Sequence, residues 1–176
     1  TNSKTGKTYS SANVVEYDIP QGVISTNAYC MTRAAALKRV SIPDSVTSLG
    51  GCMFERTATL EECTFEHNEN SGLKEIPTWM FGYCTSLVNA PELPATTLAQ
   101  ECYYSMFQGC SNLKTAPSIL PATTLADSCY KRMFEYCSKL TDAPELPATT
   151  LASQCYQYMF QNCTSLTITP ELPATT

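Results

Sequence analysis

The sequence is poor in the residues that nucleic-acid-binding proteins and most enzymes rely on. Its 176 residues include one histidine, one tryptophan and 11 lysines and arginines, and charged residues make up 15% of the chain. The formal net charge is −5 at pH 7. Binding to a phosphate backbone or to an anionic membrane depends on clustered lysine and arginine. We therefore expect no nucleic-acid partner.

Long apolar runs are also missing. No stretch approaches the roughly 18 consecutive apolar residues that a transmembrane helix needs, and the first residues, Thr1 to Lys4, do not follow the signal-peptide pattern. The sequence therefore predicts no membrane insertion. Apolar residues nevertheless make up 43% of the chain, which is enough for a sizeable core.

A repeat of 26 or 27 residues dominates the second half of the chain. The segment beginning at Leu93 reads LPATTLAQECYYSMFQGCSNL, and the same frame restarts at Leu120, Leu146 and Leu172. A fixed period of this length is typical of solenoids, in which each unit buries its apolar face only against its neighbours. The period therefore predicts a stack of similar units.

A second pattern extends the repeat into the more divergent first half: an aromatic or methionine anchor followed six residues later by leucine. It occurs at Met31/Leu37, Phe54/Leu60, Phe81/Leu87, Phe107/Leu113, Phe134/Leu140 and Phe160/Leu166. Six anchors predict about six units of 23–27 residues within residues 14–176, truncated in a further unit at the C-terminus. The segment from Val14 to Pro20 matches Leu37 to Pro43 and should begin the stack, which leaves residues 1–13 as an N-terminal tail or cap.

The first half of each unit has the pattern of a short buried strand, and strands brought together by repetition must pair in parallel. The inward positions of two such units are Leu37, Val40 and Ile42, then Leu60, Cys63 and Phe65. Later units carry a proline near the strand end, at Pro91, Pro117, Pro144 and Pro170. Because proline removes an amide donor, the later strands should be brief.

The second half of the later units has apolar residues four positions apart, as at Leu98, Cys102, Met106 and Cys110. This spacing predicts an α-helix that faces the strands, with Thr96 or Thr97 as its N-cap. In an earlier unit Gly50-Gly51 favours a turn instead, and the polar residues 66–72 favour a loop. The elements together predict an α/β solenoid, a right-handed stack of short parallel strands with short helices or turns on the opposite face.

These residues resemble a known family. The segment from Ile42 to Leu60, IPDSVTSLGGCMFERTATL, is similar almost position by position to the repeat unit of the BspA-like leucine-rich repeats, approximately IPxSVTxIGxxAFxGCxxLxxV. The resemblance covers about residues 14–176. It implies a bacterial protein at the cell surface or secreted, and some members adhere to host matrix or to other cells. The family motif consists of core positions, so it implies no binding residue.

The cysteines recur with the repeat, at Cys102/Cys110, Cys129/Cys137 and Cys155/Cys163, with Cys84 at the second position. Helices lie about 8–10 Å apart, whereas a disulfide needs Cα atoms within about 7 Å. We therefore expect buried thiols that pack in the core. Disulfides and a metal site are the alternatives, although ligand pairs such as CxxC are missing.

The single histidine, His67, lies among acidic residues, and a solvated role is favoured over a metal or acid–base role. Nothing near it indicates an activated nucleophile, so neither an enzyme nor a cofactor is predicted. Tyr103, Tyr130 and Tyr156 recur at one position of the unit, which favours packing between helices over a stacking platform for sugars.

Outward strand positions vary between units and are the candidate contact residues, because solenoids commonly bind through such a face. They are Lys38, Arg39, Glu61, Glu62, Asn89, Lys114, Thr115, Thr141, Asp142 and Thr167. The leading hypothesis is a non-enzymatic binding or adhesion module for a protein or glycan partner, such as host extracellular matrix. The alternatives are a structural spacer that carries another domain and, third, a thiol or metal-dependent enzyme. Self-association through the open C-terminal end is a further expectation.

Overall fold

The computed structural model describes residues 13–66, 76–93 and 95–173. The described residues include three strands: β1 (Glu16–Asp18), β2 (Arg39–Ile42) and β3 (Glu62–Phe65). They form one sheet in the order β1-β2-β3, and both pairs are parallel. Arg39 aligns with Glu16 on one side and with Glu62 on the other. The predicted parallel pairing is therefore confirmed, and the segment from Val14 to Pro20 contains one of the three strands.

The later strands are reduced to isolated parallel bridges. Asn89 bridges to Thr115, and Thr115 bridges to Asp142. The prolines explain the reduction, because a residue without an amide hydrogen cannot extend the ladder. The prediction of brief later strands is confirmed.

The predicted helices are wrong. Within the described ranges no α-helix is found, and residues 100–109 form consecutive turns. Positive φ angles recur at fixed corners of the units, at Ser128, Arg132 and Tyr136 in one of them, with values of 57°, 58° and 63°. These positive-φ residues are four positions apart, so the chain changes direction every four residues and every fourth side chain points to the inside. The 3.6-residue period of a helix gives nearly the same apolar spacing. The turn expected at Gly50-Gly51 is present.

The hydrogen bonds of these turns show why a helix does not form. Alternate amides point in different directions: Phe107 N–H donates to the carbonyl of Met133 in the next unit (2.9 Å), whereas Cys110 N–H donates back to Phe107 C=O (3.1 Å). In a helix every amide would bond within its own segment. Here half of them join adjacent units, which therefore lie at about the 4.8 Å spacing of paired strands.

The core consists of columns that run along the stack. Five phenylalanines form one column, with ring centroids 5.4–5.7 Å apart between successive units. The members of the column are Phe54, Phe81, Phe107, Phe134 and Phe160. The anchors thus occupy one position in each unit, and all but Met31 and Phe160 at the two ends of the row are buried. Among the leucines six residues later, Leu37 to Leu140 are buried as well.

Glycine at position 50 is required by the close approach of two units. A Cβ atom added at Gly50 would lie 2.1 Å from both Ala28 N and Asn27 C in the preceding unit, whereas one added at Gly51 would meet nothing closer than 3.9 Å.

We expect Gly50→Ala to lower the free energy of unfolding by about 3 kcal/mol or more, because the backbone itself must move. Urea denaturation measures the loss. Gly51→Ala is the matched control, and equal effects of the two substitutions would contradict the packing.

Candidate functional site: the exposed strand face

The first group of predicted contact residues lies on β2 and β3 and the residues just before them. Lys38, Arg39, Glu61 and Glu62 are all exposed. Lys38 Nζ pairs with Glu61 Oε1 at 2.7 Å, and Arg39 forms an ion pair with Glu16 on β1. Because Arg39 also aligns with Glu62, acidic and basic side chains alternate across the three strands.

The second group lies on the later units. Asn89, Thr115 and Asp142 form one row through their bridges. Lys114 and Thr141 belong to the adjacent row, since Thr141 N–H donates to Lys114 C=O (3.2 Å). All five side chains are exposed. The structure therefore places these five residues in two adjacent rows on the exposed strand side.

The two groups are not joined by backbone hydrogen bonds within the described part of the chain. No such bond links Glu61 or Glu62 to Asn89, and Thr167, although exposed, is not bridged to Thr141. The ten predicted residues thus form a charged group, a largely neutral group and one separate threonine.

The ion pairs of the charged group orient side chains rather than stabilise the fold. Lys38 and Glu61 keep 47% and 46% of their side-chain area exposed, and Arg39 and Glu16 keep 49% and 58%. Pairs this exposed contribute between zero and about 1 kcal/mol each. Their main effect is to hold a fixed pattern of charge on the surface.

Sequence reasoning missed two members of this surface. Glu16 was not considered, although its distance of 23 residues from Arg39 equals that between Arg39 and Glu62 and could have indicated the pairing. Glu66 accepts hydrogen bonds from Ser41 Oγ (2.8 Å) and Gln21 Nε2 (3.2 Å). No sequence signal indicated this contact, because it depends on how successive units align.

Seven of the ten cysteines occupy two buried columns, Cys84, Cys110, Cys137 and Cys163 in one and Cys102, Cys129 and Cys155 in the other. The thiol of Cys110 donates to Phe81 C=O at 3.0 Å, and that of Cys137 donates to Phe107 C=O at 3.1 Å. Eight of the ten cysteines are buried, and none of the ten, all of which lie in the described ranges, forms a disulfide. The expectation of buried thiols is confirmed. The spacing argument against disulfides was wrong, however, because equivalent residues are separated by the strand spacing of about 4.8 Å and not by a helix–helix distance.

Burial also controls the ionisation of these thiols. It raises the pKa of Cys110 and of Cys129 to about 12, and that of Cys163 to about 11. Cys30 is exposed and Cys52 is half-buried. Across residues 13–66, 76–93 and 95–173, no group of three or more histidine, cysteine or acidic side chains could hold a metal ion.

The other candidates from the sequence have different outcomes. His67 lies outside the described residues. Tyr103, Tyr130 and Tyr156 form a stacked column with centroid separations of 5.6 and 5.9 Å, and the first two are only 1% exposed. The packing role is therefore confirmed, and a sugar platform does not fit rings whose surfaces are covered. Burial raises the pKa of all three phenols.

A third expectation concerned the threonines at the start of the predicted helices. Thr96 and Thr97 are exposed, and no helix follows them in the described residues. The proposed N-cap role is therefore wrong. The corresponding Thr124 and Thr150 instead form one of the parallel bridges, which suits a β-branched residue.

Parallel strands, stacked turns and columns of equivalent apolar residues define a leucine-rich-repeat solenoid. The model of the BspA type leucine rich repeat region matches residues 5–141 and 104–173, with six copies. The chain belongs to the BspA-type leucine-rich repeat family. Repeats of this family are generally non-enzymatic and typically mediate protein interactions. No curated protein matches the sequence.

Solved structures of other leucine-rich repeat proteins resemble the chain. A leucine rich cell surface protein from Faecalibacterium prausnitzii is 26% identical with a TM-score of 0.58, over 78% of this chain and 34% of that one. A leucine-rich repeat protein from Eubacterium ventriosum is 18% identical with a TM-score of 0.57, over 90% of this chain and 45% of that one. The chain thus spans less than half the length of either structure. In the described ranges, no helix has the length and apolar content that a membrane crossing requires.

Thiol reactivity should follow burial. Only thiolates react with a disulfide reagent such as dithionitrobenzoate, so at pH 8 the folded protein should react rapidly at no more than two cysteines, Cys30 and Cys52. After unfolding in guanidinium, all ten should react. Cys30→Ser should remove one rapidly reacting thiol. Rapid reaction of four or more cysteines in the folded protein would contradict the buried columns.

Stability should fall at alkaline pH. The buried thiols and phenols have raised pKa values when folded, whereas in the unfolded chain thiols ionise at about pH 8.5 and phenols at about pH 10. Between about pH 8 and about pH 12 the unfolded state loses these protons while the folded state keeps them. The folded state therefore has its full stability below about pH 8 and loses stability as the pH rises through 9 towards 12. The urea midpoint should therefore decrease steadily above pH 9. A midpoint independent of pH up to 11 would refute the assignment, and Cys110→Val should make the decrease less steep.

Proposed function

We propose that this chain is a non-enzymatic binding or adhesion module that contacts a protein or glycan partner through its exposed strand face. The observation that carries the proposal is the contrast between core and surface. Core positions repeat the same residue type in nearly every unit, whereas the equivalent exposed positions on the strand side change from Lys38 to Glu61, Val88, Lys114 and Thr141 along the chain.

This contrast favours a binding module over a spacer. A spacer requires only a soluble surface, so any polar residue would serve and equivalent positions could stay alike from unit to unit. A recognition surface requires unlike residues in fixed places. The pairs Lys38–Glu61 and Arg39–Glu16 hold the charged residues in such places.

The thiols support the non-enzymatic part of the proposal. Cysteine is the strongest nucleophile that the repeat supplies, and eight of its ten copies are buried. Burial raises the pKa of Cys110, Cys129 and Cys163. A catalytic cysteine has a lowered pKa and partial exposure instead. A location at the bacterial surface or outside the cell is part of the proposal and is supported by the cell surface protein of F. prausnitzii that the chain resembles.

A binding screen tests the proposal directly. The protein is applied to immobilised extracellular-matrix proteins and to a glycan array, beside a variant in which Lys38 and Arg39 become glutamate and Glu61 and Glu62 become lysine. We expect saturable binding that this variant weakens by about 10-fold or more, because removing a side chain from the centre of an interface costs about 1–2 kcal/mol of binding free energy.

The control is a charge exchange away from the strand face, Glu101→Lys with Lys131→Glu, which also leaves the net charge unchanged. It should bind like the original protein. Absence of binding to every surface by the folded protein, or equal binding by the strand-face variant, would favour the spacer.

A further inference from the structure

The turn side of the stack carries an aromatic pair that the strand-face proposal does not use. Trp79 and Tyr83 occupy the two corners of one unit, with φ angles of 58° and 59°. Their rings are stacked with centroids 6.1 Å apart and planes inclined by 16°. Both side chains are half-buried, so part of each ring faces solvent.

Two glycines hold these rings in place. A Cβ atom at Gly82 would lie 2.7 Å from Trp79 Cε3, and one at Gly109 in the next unit would lie 2.5 Å from Tyr83 Cδ1. The rings therefore lie against backbone where other units carry a side chain. An aromatic pair fixed in this way loses little conformational freedom when a partner binds, which favours affinity.

Two arginines extend the aromatic pair towards the start of the stack. The guanidinium of Arg56 lies over the Tyr83 ring, with Cζ 5.0 Å from the centroid, and its Nε donates to Glu55 Oε1 at 3.2 Å. Arg33 occupies the same corner one unit earlier, is exposed, and its backbone N–H donates to Glu55 C=O (3.1 Å). The Cα atoms of the two arginines are thus separated by about the 4.8 Å ladder spacing.

The Arg56 guanidinium remains available to a partner. Its terminal amino groups form no hydrogen bond with the described residues, because the ion pair uses Nε alone. The contact with the Tyr83 ring holds the guanidinium in place, and its two terminal amino groups suit bidentate contact with a carboxylate.

The composition of this surface is that of an interface centre. Tryptophan, tyrosine and arginine dominate the residues that contribute most to protein–protein binding, whereas lysine and glutamate are depleted there. We infer that Arg33, Arg56, Trp79 and Tyr83 form a second binding surface, the turn-side patch, which takes an acidic polypeptide segment with apolar side chains. Carboxylates of that segment pair with the two arginines, and its apolar side chains pack on the exposed parts of the rings.

Charge complementarity is what selects an acidic partner. The chain as a whole carries a net charge of −5 and repels an acidic segment, except where adjacent arginines face solvent. Glu55 neutralises one guanidinium charge, which leaves a local excess of about one positive charge. Contacts between carboxylates and guanidinium groups therefore supply specificity, and the rings supply most of the buried area.

The only tryptophan of the chain lies in the patch, so its fluorescence reports binding at this place. The probe is a synthetic peptide of alternating glutamate and leucine, titrated into the intact chain at low salt. We expect a saturable change in Trp79 emission and a loss of about 10-fold or more in affinity in the Arg33→Gln/Arg56→Gln variant. A peptide with glutamine in place of glutamate should bind the original protein no more tightly than the acidic peptide binds the Arg33→Gln/Arg56→Gln variant.

The matched control removes two charges from the strand face instead, in Lys38→Gln/Arg39→Gln. It should bind the acidic peptide like the original protein, and this separates failure of the turn-side patch from failure of the strand-face proposal. Circular dichroism establishes that each variant is folded. Three outcomes would each overturn the inference. The peptide does not bind, its binding is lost only in the strand-face variant, or an anionic oligosaccharide binds in its place.

A second measurement needs no ligand. The measured quantity is the ratio of Trp79 quenching by the anion iodide to quenching by the neutral quencher acrylamide. This ratio should be higher in the original protein than in the Arg33→Gln/Arg56→Gln variant. An unchanged ratio would show that the two arginines do not create a positive field at the ring, and it would overturn the choice of an acidic partner.

Discussion

The structure depends on one constraint, the hydrogen bonds that turn-side amides donate to carbonyls of the next unit. Phe54, Phe81 and Phe107 each donate to the residue before the next anchor, at 2.9 Å in all three cases. These bonds fix the separation of the units and hence the columns of rings, leucines and thiols. They also require positive φ at the corners, which costs on the order of 1 kcal/mol per residue. The stacked columns offset this cost through the apolar area they bury.

Most of the strand side could be predicted from the sequence. Leu37, Val40 and Ile42 have the spacing of inward strand positions, and outward positions follow from the alternation of side chains. The turn side could not be predicted in the same way. Its four-residue period is close to that of a helix, and nothing in a local pattern indicates that alternate amides will bond to another unit. The error about disulfide spacing followed from this one, because it assumed helix–helix distances.

The candidate sites divide along the same line. The exposure of the ten candidate residues could be predicted because the side of a strand on which a residue lies can be read from its position. Glu16 and Glu66 were missed because their contacts depend on the register between units. Trp79 and Tyr83 were missed for a different reason: in a helix their positions, four apart, would be ordinary packing positions, whereas at corners with positive φ they reach the surface.

The turn-side hydrogen bonds that join one unit to another are also nearly all directed the same way. N–H groups point to the following unit and carbonyl groups to the preceding one, as in the bonds from Arg33 to Glu55 and from Arg56 to Gly82. Peptide dipoles aligned in this manner add, as they do along a helix. The described part of the stack contains no α-helix and nevertheless carries an axial dipole, with the negative pole towards its N-terminal end. Arg33 and Arg56 lie near that pole, where a positive side chain is electrostatically favoured.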